Sequence, residues 1–134
     1  MTRTILFVCV ANSGRSQMAE AIFNKLKPDG FRAISAGTKP AKEVNPLVVQ
    51  VLREIGIDAS DARPKPISTK IVAEAENIIT MGCEASDFCP AGFLSTVKDW
   101  SIEDPKGKTL DEIRSISDAI HEHVTELFRQ LQST

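Results

Sequence analysis

Cys9-Val-Ala-Asn-Ser-Gly-Arg15-Ser16 places a thiol and a guanidinium around one short segment, and residues of these types can bind an oxyanion and attack its central atom. Arg15 offers a planar two-pronged donor, and backbone N–H groups converge on anionic oxygens where a turn opens a helix. The donors expected here are the N–H groups of Val10, Ala11, Asn12, Ser13, Gly14 and Arg15. Helix amides and a neighbouring arginine also favour a thiolate, the nucleophilic form of cysteine. Cysteine and arginine at this spacing alone would equally describe an inert strand-end thiol and a surface charge. The flanking pattern and the intervening Asn12, Gly14 and Ser16 favour the reactive reading.

The elements that must position these groups follow from the apolar pattern. Thr4-Ile-Leu-Phe-Val8 reads as a buried strand, and Met18, Ala19, Ile22, Phe23 and Leu26 recur at helical spacing over 16–26. Lys27-Pro28-Asp29-Gly30 is a turn, and 31–36 reads as a second strand ending at Gly37. Asn45 is placed to cap a helix that starts at Pro46, carries an apolar face of Leu47, Val48, Val51, Leu52 and Ile55, and stops at Gly56. An irregular stretch over 58–68 precedes a short helix reaching Ala75 and a strand over 77–81. A cysteine-bearing loop follows, then a last strand over 95–100 and a long helix striped by Leu110, Ile113, Ile116, Ile120, Val124, Leu127, Phe128 and Leu131. Strands alternating with helical patterns predict parallel β units with right-handed crossovers and helices on both sheet faces. Ligands of such sheets bind beyond the C-terminal ends of the strands. The Cys9 loop, the Cys83 loop and the segment from Asp99 to Asp104 all follow predicted strands, so they are expected at one rim.

At 134 residues and 42% hydrophobic content, the chain fits a single domain (1–134) with a core that needs no disulfide. Its formal charge of −2 gives no basic field for nucleic acid, so anion binding must come from local donors. The apolar run over 5–11 is too short to span a membrane and lacks a signal-peptide cleavage site, which makes a cytoplasmic location the expectation. Three cysteines cannot all pair, and a reducing compartment would keep them as thiols.

Cys83 and Cys89 flank a short polar loop and read either as a redox pair or as two unrelated thiols. No fourth partner suggests a zinc site, and His121 and His123, two apart on a helix, point in different directions. Asp104, held before Pro105, is suited to protonate a leaving oxygen, in competition with Asp99, Glu103 and Asp111.

Taken together, Val8-Cys9 through Arg15-Ser16-Gln17-Met18-Ala19-Glu20, Ser35-Ala36-Gly37, the Cys83/Cys89 loop and Trp100 through Glu103-Asp104-Pro105-Lys106-Gly107-Lys108 resemble the low-molecular-weight phosphatase superfamily. Gln17 and Lys106-Gly107-Lys108 are most similar to its thioredoxin-coupled arsenate reductases, since tyrosine phosphatases of the superfamily usually carry proline after the loop serine and aromatic residues after the aspartate-proline pair. The resemblance implies a three-layer α/β/α fold with a four-stranded parallel sheet. It further implies that Cys9 attacks arsenate held by the loop amides and Arg15, that Ser16 stabilises the thiolate, and that Asp104 helps hydroxide leave as water. Cys83 would then displace arsenite, leaving a Cys9–Cys83 disulfide, and Cys89 would attack Cys83, giving a Cys83–Cys89 disulfide for thioredoxin to reduce. Substantial motion over 83–90 is expected of such a relay. Phosphate should compete with arsenate, and a monomer without bound cofactor is expected.

The chain departs from those relatives in three places. Gly14 stands where cysteine is frequent, the Cys83/Cys89 loop is one residue shorter, and Arg63 and Lys65 stand where ligands of a potassium ion are expected beside Asn12 and Glu20. The Lys65 ammonium could replace that cation, so no metal is predicted. A cysteine phosphatase acting on phosphoesters is the enzymatic alternative, and a non-catalytic arsenic or redox sensor is a third reading.

Overall fold

The apolar run that ends at Cys9 becomes the strand on which the other elements are arranged. In the computed structural model, which describes residues 2–81 and 97–132, the order is β1 (Arg3–Cys9), α1 (Arg15–Leu26), β2 (Phe31–Gly37), α2 (Pro46–Glu54), α3 (Thr69–Glu74), β3 (Asn77–Thr80), β4 (Val97–Asp99) and α4 (Leu110–Gln132). The sheet is four-stranded and parallel, in the spatial order β2-β1-β3-β4. β1 is flanked on both edges, with Cys9 paired to Gly37 on one side and Val8 to Thr80 on the other.

Burial on both faces accounts for the unbroken apolar character of β1. Ile5, Phe7 and Cys9 face a core shared with α1, α2 and α4, through Met18, Ile22, Val48, Leu52, Ile113, Ile120 and Val124. Leu6 and Val8 face a smaller cluster with Ala36, Val72 of α3 and Ile78. The layers are therefore unequal, with three helices on one side and the short α3 on the other. The chain leaves β1 toward β2 through α1, and then returns across β1 to β3 after α3 on the opposite face. That reversal between neighbouring β1 and β3 is a topological switch point, and Cys9 stands at its rim.

Local signals account for the element ends. Asn45 Oδ1 accepts the Leu47 N–H at 2.9 Å with Pro46 at the first helical position, and Gly56 at φ +86° ends the turn after α2. Ser68 Oγ accepts the Ile71 N–H at 3.2 Å at the start of α3. β3 is bounded at Thr80, one residue before the expected Met81, whose N–H still completes the ladder by donating to Val8 O at 2.8 Å. β4 begins at Val97 among the described residues, and the expected Ser95 start lies outside them. The stretch 58–68 is irregular apart from one bridge between Gly37 and Pro66. His121 and His123 lie on exposed positions of α4, and the His123 ring stacks on Trp100 with centroids 4.8 Å apart. Among the described residues no helix is long and apolar enough to cross a membrane.

Phe7 is fully buried, with its ring 6.1 Å from Phe23 and 5.4 Å from Trp100. Phe7→Ala should destabilise the protein by about 3–5 kcal/mol, read as a lowered urea midpoint of far-UV dichroism. The Arg3 guanidinium grips Glu76 through two hydrogen bonds of 2.7 and 2.9 Å and holds its carboxyl below the usual carboxylate range. A lowered folded-state value stabilises above the unfolded value of about 4.3, and that contribution disappears as pH falls through the folded one. Glu76→Gln should therefore lower the urea midpoint at pH 7 and lose that effect at pH 3; a constant difference across this range would refute the assignment.

Candidate active site

Residues 10–14 lie between β1 and α1, and the carbonyl groups of 9–14 are satisfied in sequence by donors outside the loop. Thr38 N donates to Cys9 O at 3.2 Å, Lys39 N to Val10 O at 2.8 Å, Ala41 N to Ala11 O at 2.9 Å and Asn45 N to Ser13 O at 2.9 Å. Gln17 Nε2 donates to Asn12 O at 3.2 Å, and Met18 N to Gly14 O at 2.9 Å. A trans peptide holds its N–H opposite its C=O, and no cis bond occurs among the described residues. Fixing these carbonyls therefore turns each following N–H, from Val10 through Arg15, away from the donor that holds its carbonyl. Asn12 takes the one left-handed non-glycine conformation among the described residues, φ +50°, a region asparagine tolerates. Gly37 lets β2 approach, since a Cβ there would stand 2.7 Å from Val10 O and 2.9 Å from Asn12 Cβ.

The thiol lies within this curve. Cys9 Sγ is 2.8 Å from Ser16 Oγ and accepts the Asn12 N–H at 3.2 Å. Asn12 Nδ2 donates to Ser16 Oγ at 2.7 Å, which fixes the hydroxyl beside the sulfur. The sulfur thus has two polar contacts at the start of α1, in a site where Cys9, Asn12 and Ser16 are all buried.

Arg15 is buried as well, and its guanidinium reaches the segment after β4. Nη1 donates to Ile102 O at 3.3 Å, and Nη2 is 3.7 Å from Asp104 Oδ2. The Asp104 side chain is 57% exposed against 9% for Arg15, so the carboxyl stands at the mouth of the site. Its competitors are engaged elsewhere. Asp99 Oδ1 accepts from Thr80 Oγ1 at 2.5 Å, Glu103 pairs with Lys108 at 2.6 Å, and Asp111 pairs with Arg114 at 2.5 Å on α4. The Cys9 loop and Asp104 thus share one rim, while Cys83, Cys89 and the motion expected over 83–90 lie outside the described residues.

Behind the loop, the segment over 63–65 is tied to Asn12. Lys65 N donates to Asn12 Oδ1 at 2.8 Å, and Gln17 Nε2 reaches both that oxygen and Arg63 O at 3.0 Å. The Lys65 ammonium stands 3.7 Å from Glu20 Oε1 and 3.3 Å from Ser35 Oγ. Sequence reasoning uses Gln17 only as a mark of kinship and misses its structural part, and it treats Asn45 only as a helix cap. A polar residue on the buried face of α1, directly after Ser16, was the available signal for Gln17.

This geometry has known counterparts. The chain is 37% identical over 119 residues to an arsenate reductase of Brevibacillus brevis, covering 88% of each chain. Its structure is similar to an arginine phosphatase of Geobacillus stearothermophilus, with a TM-score of 0.87, 25% identity and coverage of 98% of this chain and 94% of that one. It is also similar to a thioredoxin-dependent arsenate reductase of Corynebacterium glutamicum, with a TM-score of 0.82, 35% identity and coverage of 98% of this chain and 62% of that one. The family model for low molecular weight phosphotyrosine protein phosphatases matches residues 4–134. With the strand-loop-helix carrying Cys9 and Arg15 and the parallel sheet that frames it, the chain belongs to that family.

Proposed function

We propose that this protein reduces arsenate to arsenite, using Cys9 as nucleophile. The observation that carries the reading is the Cys9 sulfur, held by Ser16 and the Asn12 N–H inside a loop whose amides face away from its bonded carbonyls, beside Arg15 and Asp104. Similarity to arsenate reductases and the presence of Cys83 and Cys89 in the sequence support the second half of the reaction.

In this reading arsenate sits on the N–H groups of Val10, Ala11, Asn12, Ser13, Gly14 and Arg15, with the Arg15 guanidinium turning from Asp104 toward its oxygens. The Cys9 thiolate forms a sulfur–arsenic bond while an arsenic–oxygen bond breaks, and the hydroxide takes a proton from Asp104 and leaves as water. The Cys83 thiolate then attacks Cys9 sulfur. The sulfur–arsenic electron pair passes to arsenic, reducing As(V) to As(III), and a Cys9–Cys83 disulfide remains. Cys89 attacks Cys83, releases the Cys9 thiolate and leaves a Cys83–Cys89 disulfide. Thioredoxin returns that disulfide to two thiols, so the protein needs no bound cofactor or metal and works in a reducing compartment such as the cytoplasm, as a monomer.

Hydrolysis of a phosphoester is the second reading, supported by membership of the phosphotyrosine protein phosphatase family and by the shared use of Cys9, Arg15 and an acid. The two part at the second step, where water attacks a phosphocysteine but a thiol attacks the arsenic adduct. Arsenate-dependent NADPH oxidation with thioredoxin and thioredoxin reductase, measured beside aryl-phosphate hydrolysis, separates them. Cys83→Ser should abolish arsenate turnover and spare any hydrolysis, whereas Cys9→Ser should abolish both. Asp104→Asn should slow arsenate turnover by roughly 10²-fold or more, with phosphate inhibiting it as it does the wild type. Hydrolysis without arsenate turnover would reassign the protein as a phosphatase.

A further inference from the structure

Behind the anion loop, α1 and the segment that follows α2 enclose an open cleft of about 460 Å³, a size within the range of small-ligand sites. Its acceptors come from two walls, Gln17 and Glu20 from α1 and Asp58 and Asp61 from the segment over 56–62. The one cation that lines it, Lys25, spends its ammonium on Ile55 O at the end of α2. Glu20 Oε1 takes Ser35 and Lys65, and Asp58 Oδ1 takes Ser60. One oxygen of each of these carboxyls, and both of Asp61, keep no hydrogen-bond partner among the described residues.

Gln17 points to a ligand independently of this charge. The residue is 3% exposed, and its Nε2 donates to Asn12 O, Asn12 Oδ1 and Arg63 O. All three are acceptors, so the amide takes only this orientation. Gln17 Oε1 faces the other way and accepts no hydrogen bond among the described residues. No side-chain nitrogen or oxygen among them is sealed from the surface without a partner. Oε1 therefore opens on the cleft that Gln17 lines.

Every free group here is an acceptor, so the complementary ligand is a cation rich in N–H donors. Among the described residues no three metal-ligating side chains gather around one point, and the free oxygens lie on two walls. That disfavours a compact metal ion. A flexible chain of ammonium groups joined by methylenes can reach both walls while its methylenes cover Ile57, Ala59 and Ala62.

We propose that this cleft binds an aliphatic polyamine, and that an ammonium donating to Gln17 Oε1 firms the anion loop. Polarising one end of an amide strengthens the hydrogen bonds at its other end. Those of Gln17 Nε2 hold both oxygens of Asn12, the residue whose N–H meets Cys9 Sγ. Polyamine and anion should then raise each other's affinity by the same factor. This coupling concerns anion binding and not turnover, so it is independent of whether Cys9 reduces arsenate.

Spermidine binding is measured by titration calorimetry on wild type, Asp61→Asn and Ala59→Leu at constant ionic strength, with magnesium chloride as the compact cation. Inorganic phosphate is titrated with and without spermidine. Both substitutions lie outside the Cys9 site and should leave the affinity for phosphate alone unchanged. Spermidine should bind wild type saturably and Asp61→Asn about tenfold more weakly, for want of a charged acceptor. Ala59→Leu, which fills the cleft, should weaken it at least as much, and Ala62→Leu replaces that variant if it does not fold. Saturating spermidine should tighten phosphate binding roughly fivefold in wild type. No saturable binding, binding that neither variant weakens, or magnesium binding with the same dependence on Asp61 would each overturn the site. Weakening by Asp61→Asn alone would mark simple surface attraction and overturn it too. Phosphate affinity indifferent to bound spermidine would overturn the coupling through Gln17.

Discussion

The outward bonding of the carbonyls in residues 9–14 is the constraint on which the site depends. An anion can be held by backbone amides only if the paired carbonyls are kept away from it, and a buried carbonyl without a donor costs about 1–3 kcal/mol. Here the donors come from Thr38, Lys39, Ala41 and Asn45, all after β2, and from Gln17 and Met18 of α1. The loop is therefore shaped by β2 and its exit as much as by its own residues. This explains why Gly37, remote in sequence, must lack a side chain where it meets Val10 and Asn12.

The sheet order brings the remaining chemistry to that loop. Because β1 lies between β2 and β3, the scaffold that holds the loop approaches from one edge, and Asp104 approaches from the side of β4. Arg15 joins the two through Ile102 O and Asp104. A chain with a formal charge of −2 can in this way concentrate positive potential at one buried point without a basic surface. The same economy holds behind the loop, where the Lys65 ammonium faces Glu20 and Ser35 while its backbone N–H fixes Asn12.

Much of this was legible along the chain, for identifiable reasons. β1 is buried on both faces and reads as an unbroken apolar run; α4 packs one face and reads as a stripe; Asn45-Pro46 and Gly56 carry the turn chemistry that ends α2. Strand ends were harder, because Met81 continues the apolar pattern and its N–H still bonds Val8 O, although β3 is bounded at Thr80. Asp104 was singled out in the sequence by the following proline and by the family resemblance, and folding gives its competitors Asp99, Glu103 and Asp111 partners of their own, Thr80, Lys108 and Arg114. Gln17 escaped notice as a structural residue because its acceptors, on Asn12 and Arg63, are separated from one another by a long stretch of chain.

The sequence by itself determined the nucleophile's local setting: a thiol at a strand end, a loop with Asn12 and Gly14, an arginine opening a helix, and an alternation of elements that gives a parallel sheet. Those features rest on short-range periodicity and turn chemistry, which act between residues near in sequence. Tertiary structure alone decided which carboxyl meets Arg15 and which donors hold the loop carbonyls outward. Each of these is a contact across the sheet's rim. It exists only after β1 has been enclosed between β2 and β3, because packing and not chain proximity sets the distances involved.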